Sequence, residues 1–202
     1  MNSRVLDLFG CVEGNLSEMV GFLEGGGSGS GGSRDGRAER LKMRGGEIED
    51  DCLLLQARHA PVACDLRLVR AIFAVASHAV RAGVLCEHVF RAFEFSGDGP
   101  RRRDLDEKIA RMAREAREVF RGGMETFEDR DVRKARSLKE MDEVVDLLCA
   151  EVMGMAADGG GLSVSPGQIS QAALVAHYLE RIADHGVDIG MRTVFMVEGE
   201  GA

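Results

Sequence analysis

The chain has 202 residues and a mass of 21.9 kDa; 45% of its residues are apolar, 5% aromatic, and its formal charge is -8 with a pI near 5.2. This length fits one domain or two small ones, and the apolar content excludes disordered and collagen-like classes. The acidic balance argues against nucleic acid as a partner, because a phosphate-backbone binder needs clustered positive charge to release counterions.

With no Trp, three Pro and long stretches of Ala, Leu, Val, Glu and Arg, the composition predicts an all-α protein. Helical periodicity runs through six segments, at 3–24, 37–59, 61–95, 102–128, 131–157 and 166–198. The first carries Asp7 and Glu13 where a signal peptide needs an unbroken apolar run. It ends at GGGSGSGGS (25–33), a flexible connection that resembles a synthetic linker, since each Gly costs a helix about 1 kcal/mol relative to Ala. Inside the second segment Gly45 and Gly46 together cost about 2 kcal/mol, so they mark a bend or a close helix contact. Pro61 stops that helix behind Arg58 and His59. The third segment presents the apolar row Leu66, Val69, Phe73, Ala76, Val80, Gly83. Ser96 to Pro100 separates the two halves of the chain. Residues 101–121 then hold eight basic and five acidic side chains, with Arg114, Arg117 and Arg121 along one face that suits an acidic partner, anionic lipid or plain solvent. Asp158 to Pro166 ends the fifth helix and starts the sixth.

No stretch reaches about 18 uncharged apolar residues, so the expected protein is soluble and at most peripheral to a membrane. Cys11, Cys52, Cys64, Cys86 and Cys149 are odd in number and lack CxxC spacing, which fits reduced thiols in a cytoplasm.

At an offset of 100 residues the breaks align: 25–33 meets 125–133, and Ala60 and Pro61 meet Gly160 and Gly161. The expected architecture is therefore two tandem three-helix bundles, 1–98 and 101–202, related by an internal repeat. Identities at this offset are few: Ala57 with Ala157, Val75 with Val175, Ala76 with Ala176, Arg81 with Arg181. The counterpart of the apolar row is Pro166, Ile169, Ala173, Ala176, Glu180, Ala183, in which one position is a carboxylate.

That carboxylate belongs to a stripe. Glu180 and Asp184 lie one turn apart on a helix face, and Asp188 continues it with about 40° of drift. The preceding helix offers Asp142 and Asp146 at the same spacing. If the two helices pack antiparallel, four carboxylates converge, and such like charge in a partly dry groove calls for a cation. All-oxygen ligands select hard ions such as Mg²⁺, Ca²⁺ or Mn²⁺, with iron also compatible. Acidic i,i+4 pairs are equally at home on solvated helix faces, and Glu180 could instead pair with Arg81 or Arg181. In the first half the same offset gives Lys42, Gly46, Val80 and Val84, so no equivalent site is expected there; only a slipped register, through Glu47 and Asp51, restores part of one. His177 and His185 flank the stripe and can ligate iron or zinc as neutral imidazoles, although a histidine at a helix edge is more often solvated. His59, His78 and His88 have no acidic motif beside them and read as structural.

Two stretches carry a family resemblance. APVACDLRLVRAIFAVAS (60–77) resembles a PVAxDLR stretch and HYLERIADHGVDI (177–189) resembles the LERIxDHxxNI signature of PhoU-type phosphate-transport regulators. The resemblance covers nearly the whole chain and implies two repeats of a three-helix bundle and a cytoplasmic, non-catalytic role in phosphate uptake and phosphate-starvation signalling. It implies contact with the ATPase subunit of a phosphate ABC importer and with a membrane histidine kinase. It also implies metal binding through E/DxxxD motifs, which match Asp142 and Asp146 and, on the last helix, Glu180 and Asp184. Asp188 replaces the usual Asn and keeps an oxygen ligand. SHAVRAGVLCEHV (77–89) stands where the first repeat's signature is expected, so one metal site, of iron, Mg or Mn, is the inference. Whether the chain forms a homodimer the sequence leaves open.

Two other function classes compete. A carboxylate-bridged iron oxidase or store usually takes Glu-x-x-His from each of two helices. The residues three before the histidines are Gln56, Val75, Leu85, Leu174 and Ile182, so that motif is missing. No nucleophile and base stand at a diagnostic spacing and no GxxxxGK[ST] loop occurs, so the chain is not expected to be an enzyme. The remaining class is a metal-free helical interaction scaffold.

Overall fold

In this computed structural model, which describes residues 2–25, 36–94, 102–158 and 165–199, the chain forms six α-helices and, among the described residues, no strand. They are α1 (Asn2–Glu24), α2 (Arg37–His59), α3 (Ala63–Glu94), α4 (Arg103–Asp129), α5 (Val132–Ala157) and α6 (Pro166–Glu198). The all-α, six-helix expectation holds, while the connections at 26–33, 96–100 and 159–164 lie outside the described residues.

Local chemistry explains the helix limits. Asp131 caps α5 by accepting from the Lys134 amide, and Ser165 opens α6 with a reciprocal capping box to Gln168 and Pro166 in the first turn. The helix α3 starts at Ala63, two residues beyond the predicted 61, because the reversal around Pro61 puts Ala60 and Ala63 at φ 42° and 48°. Left-handed Arg130 closes α4 in the same way.

Each half is an antiparallel up-down-up bundle. In the first, Arg4 meets Asp51 at 2.9 Å, Arg44 meets Cys11 at 2.8 Å and Arg37 meets Glu18, a ladder running in opposite senses along α1 and α2. In the second, Lys108 pairs with Glu151 and Lys134 with Glu125 between α4 and α5, while Arg136 reaches Glu198 of α6 at 2.6 Å. The halves join through α1 against α4 and α3 against α6, whereas α2 and α5 each touch only the two other helices of their own half. The core is continuous across both halves, from Leu8, Leu16 and Ile72 to Met112, Phe120, Leu179 and Ile189.

Because α3 and α6 each pack against three helices, their buried arcs are wider than the predicted rows and rotated from them. Val69, Ala76 and Gly83 are buried, but Leu66 and Phe73 are exposed, and Ile72, Val75, Ala79 and Cys86 carry the core instead. In α6 the buried stripe is Ala172, Val175, Leu179, Ile182 and Gly186, which leaves Glu180 at its edge. One stretch of α3, Ala63–Ala92, is long and apolar enough to cross a membrane by composition, and its apolar side packs on α1, α2 and α6.

Two other expectations change. The Arg114, Arg117 and Arg121 face is taken up by the protein itself: Arg114 pairs with Glu24 at 2.9 Å, Arg117 with Glu13, and Arg121 with Glu118. Gly45 and Gly46 split their roles. A methyl on Gly45 would lie 2.5 Å from Val80 Cγ2, a close contact between α2 and α3, whereas Gly46 faces open space. No two of the five cysteines are bonded, and Cys52, Cys86 and Cys149 are buried as small hydrophobes.

Candidate metal centre

The antiparallel pairing of α5 and α6 sets the acids along one groove, within electrostatic reach of one another. Gly190 lies against Leu138 and Ala135, so the chain running down α6 from there sets Asp184 and Glu180 beside Asp142 and Asp146. Asp142 and Glu180 are half-buried, and Asp146 and Asp184 are exposed, so the groove is drier on one side than on the other.

The carboxylates feel one another. Burial pushes the Asp142 carboxyl up to about 6, with the charges of Asp146, Asp184, Glu180 and Asp188 adding to it. Asp184 is raised by burial and then by Glu180, Asp146 and Asp188, against a smaller pull from His185. Cys149 beneath them rises to about 11 through burial and the charge of Glu180 and Asp146. Among the described residues no Lys or Arg pairs with Asp142, Asp146, Glu180 or Asp184; Glu180 has His177 Nδ1 at 3.4 Å rather than Arg81 or Arg181. Asp142 Oδ1 is shielded from solvent and has no hydrogen-bond partner. An orphaned carboxylate oxygen in the field of three further carboxylates suits a hard cation, although as they stand no three of these four acids bring ligand atoms within 4.8 Å of one another.

Asp188 behaves differently from the other four. Its Oδ2 lies 3.3 Å from His78 Nδ1 and 3.7 Å from His185 Nδ1, and a hydrogen bond from His185 holds its carboxyl below the ordinary range. Among the described residues, this trio of His78, His185 and Asp188 is the set of three His, Cys, Asp or Glu side chains whose ligand atoms all come within 4.8 Å of one another. His78 therefore has more than the structural role read from its own helix. Its partners lie 107 residues or more away on α6, and only the packing of α3 on α6 reveals them.

The counterpart groove of the first half has the opposite character. Lys42, Val80 and Val84 line a cavity of about 420 Å³ with Arg81, His88, Tyr178 and Arg181. Glu47 and Asp51 do not rebuild an acidic site: Asp51 pairs with Arg4, and Glu47 faces a separate cavity with Arg4 and Arg44.

Comparison with known proteins agrees with this architecture. A family model described as the PhoU domain matches residues 109–193. The chain is 30% identical over 158 residues to a phosphate-specific transport system accessory protein PhoU homolog 1 of Methanothermobacter thermautotrophicus, covering 76% of this chain and 70% of that protein. It is 28% identical over 169 residues to a PhoU homolog 1 of Mycobacterium leprae, covering 80% and 72%. Its fold is similar to the crystal structure of the phosphate transport system regulatory protein PhoU from Streptococcus pneumoniae, with a TM-score of 0.84 at 21% identity, covering 100% of this chain and 95% of that one. The PhoU structure from Pseudomonas aeruginosa matches with a TM-score of 0.69 at 22% identity over 98% and 96%.

Proposed function

The chain belongs to the PhoU family, and from that premise we propose that it is a non-catalytic accessory regulator of phosphate uptake whose second half binds a hard metal ion. Asp142 and Asp146 from α5 and Glu180 and Asp184 from α6 would hold the ion, which when bound supplies the positive charge that keeps all four carboxylates ionised. The protein's own part is positional: the acids come from two helices joined by one loop, so holding them together ties α5 to α6. The observation that carries the metal reading is the shielded, partnerless Asp142 Oδ1 within the charge field of its acidic neighbours. Iron, Mg²⁺ and Mn²⁺ all suit oxygen donors.

The regulatory reading rests on family membership. It takes the ATPase subunit of a phosphate importer, a membrane histidine kinase, or both as cytoplasmic partners. The exposed apolar residues Met141, Val144 and Leu147 on α5 and Leu53 and Leu54 on α2 give such partners hydrophobic surface on the two outer helices. The same reading treats 1–98 and 101–202 as repeats of one unit, supported by the matching order and packing of their three helices.

Two measurements test it. Affinity capture from the native cell should recover an importer ATPase or kinase, and recovery of nucleic acid alone would count against the regulator. Mn²⁺ added to metal-free protein should raise the melting temperature by mass action on the folded state, about 2.7 kcal/mol at 100 times the dissociation constant. Glu180→Ala with Asp184→Ala should remove that rise, and Glu47→Ala with Asp51→Ala should leave most of it. Equal metal content in wild type and the Glu180/Asp184 variant would return the acids to a solvated face.

A further inference from the structure

His78 stands on α3 of the first half, and His185 and Asp188 stand three apart on one face of α6. Their facing atoms form a nearly equilateral triangle: His78 Nδ1 to His185 Nδ1 is 3.3 Å, His78 Nδ1 to Asp188 Oδ2 is 3.3 Å, and His185 Nδ1 to Asp188 Oδ2 is 3.7 Å. At this distance either one Nδ1 carries the proton and donates it to the other, or both rings, protonated on Nε2, turn their Nδ1 lone pairs on a metal ion between them. The distances suit the second. A tetrahedral ion with bonds of about 2.0–2.1 Å sets its ligand atoms about 3.3–3.4 Å apart, close to all three edges.

We propose that His78, His185 and Asp188 form a second metal site, for a borderline divalent ion of the zinc type, which clamps the two halves of the chain together at the α3–α6 seam. Two nitrogens and one oxygen select such an ion over Mg²⁺ or Ca²⁺, which demand oxygen shells. The side chains are graded in exposure, with His185 at 5%, His78 at 16% and Asp188 at 49%. The histidines are thus fixed by packing while the Asp188 side stays open to water, the form of a three-ligand site with one further position for solvent. Burial also holds the His78 imidazole below its ordinary pKa, against the pull of Asp188, and so favours the neutral ligating form. The proposal does not rest on the carboxylate groove, since Asp188 is turned toward the histidines and the other four acids take no part.

Zinc titrated calorimetrically into the metal-free full chain tests it. Zinc binding at the trio is expected in wild type, beside zinc taken by the carboxylate groove, and as a single event in Glu180→Gln with Asp184→Asn, which removes that groove. His78→Gln and Asp188→Asn should each weaken zinc at least tenfold while leaving Mn²⁺ binding within twofold. Cobalt in place of zinc should give the intense visible bands of tetrahedral coordination in wild type and lose them in His78→Gln. Asp188 is half exposed, so Asp188→Asn decides the question if His78→Gln fails to fold. No zinc binding to wild type, zinc affinity unchanged in the folded variants, or zinc lost together with Mn²⁺ in the Glu180/Asp184 variant would each overturn the proposal in favour of a proton-shared hydrogen-bond trio.

Discussion

The seam between the first and third helices is built in opposite ways in the two halves. In the second half Gly123 of α4 meets Gly186 of α6 backbone to backbone, with Gly122 and Gly190 beside them packed on Leu138 of α5, and a methyl on Gly186 would lie 2.6 Å from Phe120 Cα. In the first half the residues 100 positions earlier are Phe22, Leu23, Cys86 and Phe90, and the rings of Phe22 and Phe90 meet edge to face at 5.1 Å. The grooves beside these seams differ as well, four carboxylates in the second half against Lys42, Val80 and Val84 in the first. Glycine contact leaves α6 little freedom to slide or roll on α4. The helix carrying Glu180 and Asp184 is therefore held at the level of its backbone, as the proposed metal site would require of its ligands. The first half, which lacks those acids, is packed at this seam by side chains, Phe22 against Phe90 among them.

The largest effects should come from these seams and should have opposite chemical signs. Adding one carbon by Gly186→Ala forces α6 off α4, because the obstacle is the Phe120 backbone rather than a movable side chain, and we expect a cost of about 3 kcal/mol or more. For a chain of this size that lowers the melting temperature by roughly 6–12 °C. In the first half the damaging change is removal: Phe90→Ala should cost about 3–5 kcal/mol through the cavity it leaves. Thermal unfolding of both variants decides it, and a Gly186→Ala protein melting with wild type would show that the second seam has room to spare.

The helical skeleton was legible in the sequence because Gly and Pro punctuate it and the apolar spacing is regular; five of the six helices begin and end within a residue or so of their predicted limits, and α3 starts late only because of Ala60 and Ala63. Asp142, Asp146, Glu180 and Asp184 were legible because their i,i+4 spacing shows within each helix. The pairing of Asp188 with His78 was not, since no local pattern encodes which residues meet across a helix seam when they are far apart in the chain. For the same reason the Arg114 and Arg117 face read as free surface, its partners Glu24 and Glu13 lying 90 and 104 residues away on α1.

A smaller effect separates the grooves by pH. In metal-free protein the folded Asp142 titrates near 6, while the unfolded group keeps its ordinary value near 3.8. Below about pH 3.8 both states carry the proton; between that value and 6 the folded state holds more, so this group's contribution to stability falls as pH rises and is gone above 6. Asp142→Asn should therefore stabilise the metal-free protein at pH 7 and remove that part of the slope between pH 4 and 6. The change is modest because the carboxyl is half-buried and water screens it. Lys42→Asn, in the counterpart groove, should leave the slope unchanged. Denaturant midpoints measured across this range with a chelator present give the answer, and identical pH profiles for wild type and Asp142→Asn would mean that the second groove carries no strain of its own.

The smallest effects lie where the halves meet through charge instead of packing. Arg114 and Glu24 are both about half exposed, so their pair should contribute no more than about 0.2–1 kcal/mol in a double-mutant cycle. Arg117 and Glu13 are more shielded, at 29% and 26%, and Arg117 approaches Glu13 through both Nε and Nη2. Their coupling should exceed that of the outer pair, because a two-pronged guanidinium contact keeps its geometry and water competes less there. Removing Arg117 alone should cost more than removing both partners, since Glu13 would be left with its shielded Oε2 and no guanidinium. If the two cycles instead return equal couplings near zero, the α1–α4 seam is held by apolar contacts such as Phe9 against Phe127, and the arginine face is again free to meet an acidic partner.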